Sequence, residues 1–341
     1  MSPPGHRIVT AGGMRTDYII TRDGRAITGV AGGNALYSAV GAAFWSDDTA
    51  LWARIGDNYP RERLEEIAAF GLDVSGLVPV PGNHDHRTFF AYVPGDRRED
   101  TNPEEHYRRI GQPLPPELHG YVHSTPGQAD PDAFEPLALR PGDWPSSFSA
   151  VDAVHLAPLP LSTHLSLLPE LRGRHLGQIT VDPGERYMMP ELAPYVRRLC
   201  PLVDAFLPSE QEIRSLFGPD INLAEAAQEL IGWGARLVVI KCGAAGVLIA
   251  QASGRPFRQL PAFHRPGDRA IVDVTGAGDA FCGGFAAGLL ETGDPMIAGQ
   301  YGLVSASIVI EGYGATYGLQ VGRQQAGRRL RKLSGYTAEK E

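Results

Sequence analysis

A chain of 341 residues, 43% hydrophobic and 21% charged, has the make-up of a globular enzyme with one large α/β domain or two small ones. A formal net charge of −8 argues against a nucleic-acid binder, whose affinity rests on cationic contacts to phosphates. Three scattered cysteines (Cys200, Cys242, Cys282) give neither a disulfide framework nor a zinc motif. No apolar run approaches the ~20 residues of a membrane span, and the start, MSPPGHRIVTAGG, lacks a secretion signal. A cytoplasmic enzyme is the expectation.

The first elements follow from period and punctuation. HRIVTAGG predicts a strand ending in glycines, and DYIITRDGRAITGVAGG a hairpin turning at Asp23–Gly24. NALYSAVGAAFW has helical spacing, and TALWARIG reads as a buried strand. YPRERLEEIAAFG predicts a helix with Pro60 near its start and Gly71 as C-cap. RTFFAYVPGDRR alternates like an exposed-face strand entering a turn. NHDHR at 83–87 holds two histidines without a further ligand motif, which reads as solvated surface.

From 100 to 150 no period persists, and the segment reads as a loop-rich insertion of the functional or disordered kind. Alternation then resumes. AVDAVHLAP, GQITVDPG, VDAFLPS and RLVVIKCG predict strands, with LSTHLSLLPELRG, MPELAPYVRRLC, SEQEIRSLFG and NLAEAAQELIGWG as helices among them. That order implies right-handed βαβ units and a mainly parallel sheet covered on both faces. GRQQAGRRLRKL at 322–333 is a basic cluster, read as a solvated terminal helix face within a partly frayed tail, 321–341.

Ligands of such sheets lie beyond the carboxyl ends of the strands. Those ends carry GG (12–13), DPG (182–184), LPSEQE (207–212), KCGAAG (241–246) and DVTGAGD (273–279). In AIVDVTGAGDAF, AIV reads as a buried strand, followed by a loop of small residues and a helix starting near Asp279. Asp279 is either an ordinary first-turn acid or a base beside an anion held by the bare N–H groups of Gly276, Ala277 and Gly278. No G-x-x-x-x-G-K-[ST] appears, no G-x-G-x-x-G opens a helix after the first strand, and HRD and DFG are absent.

DVTGAGDAFCGGFAAGL, GGNALYSAVGAAF, FLPSEQEIRSLFG and VVIKCGAAGVLI together resemble the ribokinase-like, or pfkB, family of small-molecule kinases. The resemblance implies a three-layer α/β/α sandwich with a mainly parallel central sheet and a small β-sheet lid. One domain over 1–320 would carry a discontinuous lid from about 14–31 and 84–112, able to pair in a homodimer. The implied activity is ATP-dependent transfer of the γ-phosphoryl group to a hydroxyl of a small sugar-like or nucleoside-like acceptor, with no nucleic-acid or membrane partner. Asp279 would be the base, and Gly276, Ala277 and Gly278 the anion hole. Asp17, Gly32, Gly33, Asn34 and Tyr37 would meet the acceptor.

By the same resemblance Lys241, Gly243, Gly246, Ser209 and Thr275 would line the nucleotide. Glu212 would hold Mg2+ through water, and Asp273 with Thr275 would seat a monovalent cation, K+ in some members. Ser209–Glu212 is also a capping box, which explains both residues structurally. A lysine at the end of a buried strand needs an anion nearby. Cys282 reads as a small core residue. Tyr37 and Ser209 stand where the family has asparagines, and Arg15 where ribokinases have a neutral residue. These departures make ribose itself doubtful, favour an anionic or aromatic-bearing acceptor, and keep open a ligand-binding relative with little turnover.

Overall fold

The computed structural model describes residues 7–93, 97–123, 127–148, 150–174, 176–254 and 256–338. The first half of the chain runs β1 (Arg7–Ala11), β2 (Arg15–Ile20), β3 (Ala26–Gly32), α1 (Asn34–Ala43), β4 (Asp48–Gly56), α2 (Arg61–Ala69) and β5 (Leu77–Val80). β6 (Arg87–Val93), β7 (Arg97–Glu99) and α3 (Pro103–Arg109) precede a long irregular stretch. β8 (Ala153–Leu156), α4 (Leu161–Gly173), β9 (Gln178–Val181), α5 (Ala193–Leu199), β10 (Ala205–Phe206), α6 (Glu210–Phe217), α7 (Leu223–Gly232) and β11 (Leu237–Lys241) restore the alternation. The chain closes with β12 (Val247–Gln251), β13 (Arg258–Leu260), α8 (Ala277–Thr292), α9 (Pro295–Val309), α10 (Thr316–Val321) and α11 (Arg323–Ala338).

Nine strands form one sheet in the order β13-β12-β11-β10-β9-β8-β1-β4-β5. Pairing is parallel from β5 through to β11 and antiparallel at the β11–β12–β13 edge. Side chains of a strand alternate between faces, and here each face owns a core. Val238 and Ile240 join Leu167, Leu171, Val196 and Leu230 on one side. Leu237 and Val239 join Leu36, Val40, Phe285 and Val304 on the other. This is the expected three-layer sandwich. On its second face α8 is squeezed between α1 and α9: a β-carbon at Gly283 would lie 1.8 Å from the Ser38 carbonyl oxygen, and one at Gly284 2.3 Å from Ser305 Oγ.

A second sheet, β3-β2-β6-β7, stands apart from the first. Alternation again sorts its residues. Tyr18, Ile20, Phe89 and Ala91 enter a small core with Tyr107, Leu118 and Tyr121. Asp17, Thr88 and Phe90 instead line a cavity between this sheet and the sandwich.

The structure corrects several readings. β6 is not an exposed-face strand, since α3 and the chain to Tyr121 cover its outer side; Phe89 and Ala91 are fully buried. His86 is not solvated surface: it is buried, and its Nε2 accepts the Gly56 N–H at 3.0 Å. AIV is no strand, because the Val272 and Asp273 N–H groups both donate to the Ile310 carbonyl at the end of α9, at 2.8 and 3.1 Å. The stretch expected to fray is helical over Arg323–Ala338, with Ala326 and Leu333 buried. Two of its arginines are anchored: Arg329 bonds Glu311 at 2.7 Å and Arg323 bonds the Ala43 carbonyl at 2.7 Å. No helix among the described residues is long and apolar enough to cross a membrane.

Candidate active site

Gly276 caps α8 in the left-handed region, at φ 73°, and Asp279 falls in the helix's first turn. The N–H groups of a first helical turn lack intrahelical partners, and the helix dipole adds positive potential there. Of the three loop amides, that of Ala277 turns back to the Val274 carbonyl at 3.2 Å. Gly276 and Gly278 are left as the loop's donors with no partner among the described residues, so the expected bare trio is a pair. Thr275, Gly276 and Asp279 line a cavity of about 440 Å³. Burial pushes the Asp279 carboxyl up to about 6, against the pull of Lys241 and Arg98.

The β1–β2 turn and the start of α1 build the far side of that cavity. Asp17, Gly33, Asn34 and Tyr37 all line it, with Arg15 and Arg98. Burial, followed by the charge of Asp273, pushes Asp17 up to about 7. Gly32 does not line the cavity; it makes room for Asp17, since a β-carbon there would lie 1.9 Å from Asp17 Oδ2. Asn34 stitches strand ends together: its Oδ1 accepts the Gly13 N–H at 2.7 Å and its Nδ2 donates to the Pro158 carbonyl at 2.6 Å. Tyr37 is buried with a hydroxyl that has no hydrogen-bond partner among the described residues.

The residues assigned to the nucleotide lie outside this cavity, Thr275 excepted. The anion that Lys241 needs comes from within the chain: its Nζ donates to the buried Asp182 Oδ2 and lies 3.6 Å from Cys282 Sγ. Burial opposes that charge, but the Asp182 carboxylate outweighs it and holds the ammonium above its ordinary range. A β-carbon on Gly278 would be 3.8 Å from Lys241 Nζ, so the ammonium stands beside the turn at 276–278. Cys282 is a fully buried core residue, as expected.

Ser209 and Glu212 form the capping box of α6, with Ser209 N–H donating to Glu212 Oε2 at 2.6 Å. Gly243 is exposed, at φ 54°. Gly246 is buried against β13, where a β-carbon would meet the Leu260 carbonyl oxygen at 1.9 Å, so it shapes the turn rather than presenting a surface.

A model of the pfkB family carbohydrate kinases matches residues 173–321. A cytidine kinase of Thermococcus kodakarensis is 30% identical over 285 residues, covering 82% of this chain and 87% of that protein. The chain belongs to the pfkB family. Two solved structures share the fold of this pfkB family member at lower identity. A ribokinase of Cryptococcus neoformans in complex with ADP superposes with TM-score 0.67 at 18% identity, covering 95% of this chain and 99% of that one. A nucleoside kinase of Burkholderia thailandensis, in complex with ADP-inosine, gives TM-score 0.68 at 17% identity and covers 96% of each chain.

The residues that the resemblance assigns to cations sit in different surroundings. Glu212 and Asp182 are buried, and burial holds both above the usual carboxylate range, aided by Asp182 at Glu212 and by Asp279 at Asp182, against the pull of Lys241 on each. Asp182 Oδ1 has no partner among the described residues. Two such hard oxygen donors fit a hydrated Mg2+. Asp273 Oδ1 receives the Tyr92 hydroxyl at 2.5 Å and the Thr275 N–H at 3.0 Å.

This pfkB family member also shows site residues that its sequence did not single out. Arg98, Gln128 and Glu135 line the cavity. Asp182 was legible only as a strand-end acid, and Tyr92 only as one aromatic residue in an alternating strand. The segment carrying Gln128 and Glu135 has no period to read, yet it is firmly docked. Leu161 N–H donates to the Gln128 carbonyl at 2.9 Å and Thr163 Oγ1 to the Leu139 carbonyl at 3.1 Å. Arg54 clamps Asp143 through two bonds, at 2.6 and 2.9 Å.

Proposed function

We propose that the protein is an ATP-dependent kinase that phosphorylates a hydroxyl of a small sugar-like or nucleoside-like acceptor held in the 440 Å³ cavity. A cavity of ~300–1,000 Å³ is the usual size for a small-molecule site. The observation that carries the reading is the placement of Asp279. It lies in the first turn of α8, beside the free amides of Gly276 and Gly278, on the wall of the cavity that Asp17 also lines.

In this reading Asp17 and Asn34 orient the acceptor, and Asp279 accepts the proton of its attacking hydroxyl. The new bond joins that oxygen to the γ-phosphorus as the bond from the γ-phosphorus to the β,γ-bridging oxygen breaks, leaving ADP. The Gly276 and Gly278 amides and the dipole of α8 stabilise the charge on the phosphoryl oxygens. Lys241 adds a fixed positive charge beside the same turn. Bound through water to Glu212 and Asp182, Mg2+ would neutralise nucleotide phosphate charge. The β3-β2-β6-β7 sheet acts as a lid that keeps water from the transfer.

A coupled assay of ADP release over sugars, sugar acids, amino sugars and nucleosides, with and without potassium, tests this. Acceptor-dependent release is expected, and Asp279→Asn should abolish it while retaining ATP binding. Release at the wild-type rate from that variant would overturn the assignment.

A further inference from the structure

The small sheet and the anion-hole loop meet through one side chain. Tyr92, the sixth residue of β6, points away from the sheet's own small core and is 6% exposed. Its hydroxyl donates to Asp273 Oδ1 at 2.5 Å and accepts the Val274 N–H at 3.2 Å. Thr275 Oγ1 lies 3.5 Å away, and the Thr275 N–H donates to the same Asp273 oxygen at 3.0 Å. On its other side the phenol is covered by the Arg22 guanidinium from the β2–β3 turn, 5.3 Å from the ring centroid. Three consecutive residues, 273 to 275, are thus held by a residue of the other sheet, immediately before the Gly276 cap.

We infer that Tyr92 is a positioning residue for phosphoryl transfer, fixing the loop 273–275 so that the Gly276 and Gly278 amides keep their aim, and tying that aim to the seating of the small sheet. The inference rests on the kinase reading above for its catalytic half. The loop has little else to define it. It belongs to no strand, and its described backbone bonds run to Ile310 and within itself. A displacement of ~1 Å in a site of this kind costs about 100-fold in rate, so a latch on the loop matters more for turnover than for folding.

Tyr92→Phe tests this, because it removes the hydroxyl and keeps the ring. Two readouts are needed. Amide hydrogen exchange of the apo protein reports the latch whether or not an acceptor is known: the Val274 and Thr275 amides should exchange at least about 10-fold faster in the variant. Kinetics report its use: kcat should fall about 10- to 100-fold while KM for ATP stays within about 2-fold. In an Asp273→Ala background the same substitution should cost less than it does in the wild type, since the Tyr92–Asp273 bond is already gone and only the Val274 and Thr275 contacts remain to be lost. Unchanged exchange would show that Tyr92 does not hold the loop. Faster exchange with wild-type kcat, or fully additive losses in the double variant, would show that the loop's aim does not depend on it. Should the wild-type protein turn over no acceptor, the kinase reading fails, and the exchange experiment still decides whether Tyr92 fixes the loop.

Discussion

The ring of Tyr37 lies directly against Gly276, so closely that a β-carbon on that glycine would come within 2.1 Å of Tyr37 Cδ1. With Gly276 at φ 73°, a side chain there is doubly excluded, by backbone strain and by the ring. Gly278 differs: its nearest foreign atom would be Lys241 Nζ, at 3.8 Å. Gly276→Ala should therefore lower kcat by at least about 100-fold, while Gly278→Ala, which keeps its N–H, should lose less than about 10-fold. Steady-state kinetics on both variants, beside their melting temperatures, check the contrast.

Asp279 gives a pH signature with a defined sign. The carboxylate is the basic form, and burial pushes the group up to about 6. The kcat/KM of the wild-type enzyme should thus rise with pH through about 6 and level off above it. Lys241 is the largest influence opposing that rise. Lys241→Met should move the limb to higher pH, as a full pH–rate profile on both proteins would show.

Tyr37 is a buried residue whose hydroxyl has no partner among the described residues. Removing an unsatisfied buried hydroxyl costs little or stabilises. Tyr37→Phe should keep or raise the melting temperature. Tyr37→Asn should instead change relative kcat/KM among acceptors more than it changes KM for ATP, since the ring lines the cavity. Equal effects on both substrates would place it outside the acceptor site.

Arg54 and Asp143 are 15% and 10% exposed and bonded twice. Arg54 also lines the cavity and reaches the Pro136 carbonyl at 3.3 Å. Breaking a well-formed, partly buried pair from one side leaves the other charge uncompensated. Arg54→Met should lower the melting temperature and raise KM for the acceptor, with KM for ATP little changed. Glu135→Gln, at the same wall, should alter acceptor preference without loss of stability.

Much of this was legible in the chain itself. The alternation after 150 gave the parallel sheet, because a βαβ unit has few other ways to bury its strands. DVTGAGD placed Asp279 correctly, because a positive-φ glycine and a first-turn acid are local signals. What stayed hidden was non-local. AIV looked like a strand because its residues are apolar, but the Ala270 and Ile271 N–H groups turn back to Asp268 and that of Val272 goes to Ile310, 38 residues on. The edge strand β5, LVPV, was too short and proline-bearing to show a period. Lys241 announced its need for an anion without revealing that Asp182 meets it, and His86 could not show that Gly56 and Met14 would enclose it.

The 127–138 wall, by contrast, is a single uninterrupted piece of chain, whereas Asp17, Lys241 and Asp279 come from three distant parts of the fold. On the proposed reading, one part of the acceptor wall is thus a single exchangeable segment, which Asp17, Asn34 and Tyr37 complete from elsewhere in the fold. A graft of residues 127–143 from a relative of other taste, with Arg54 kept to clasp position 143, would carry a new acceptor preference onto an untouched catalytic frame.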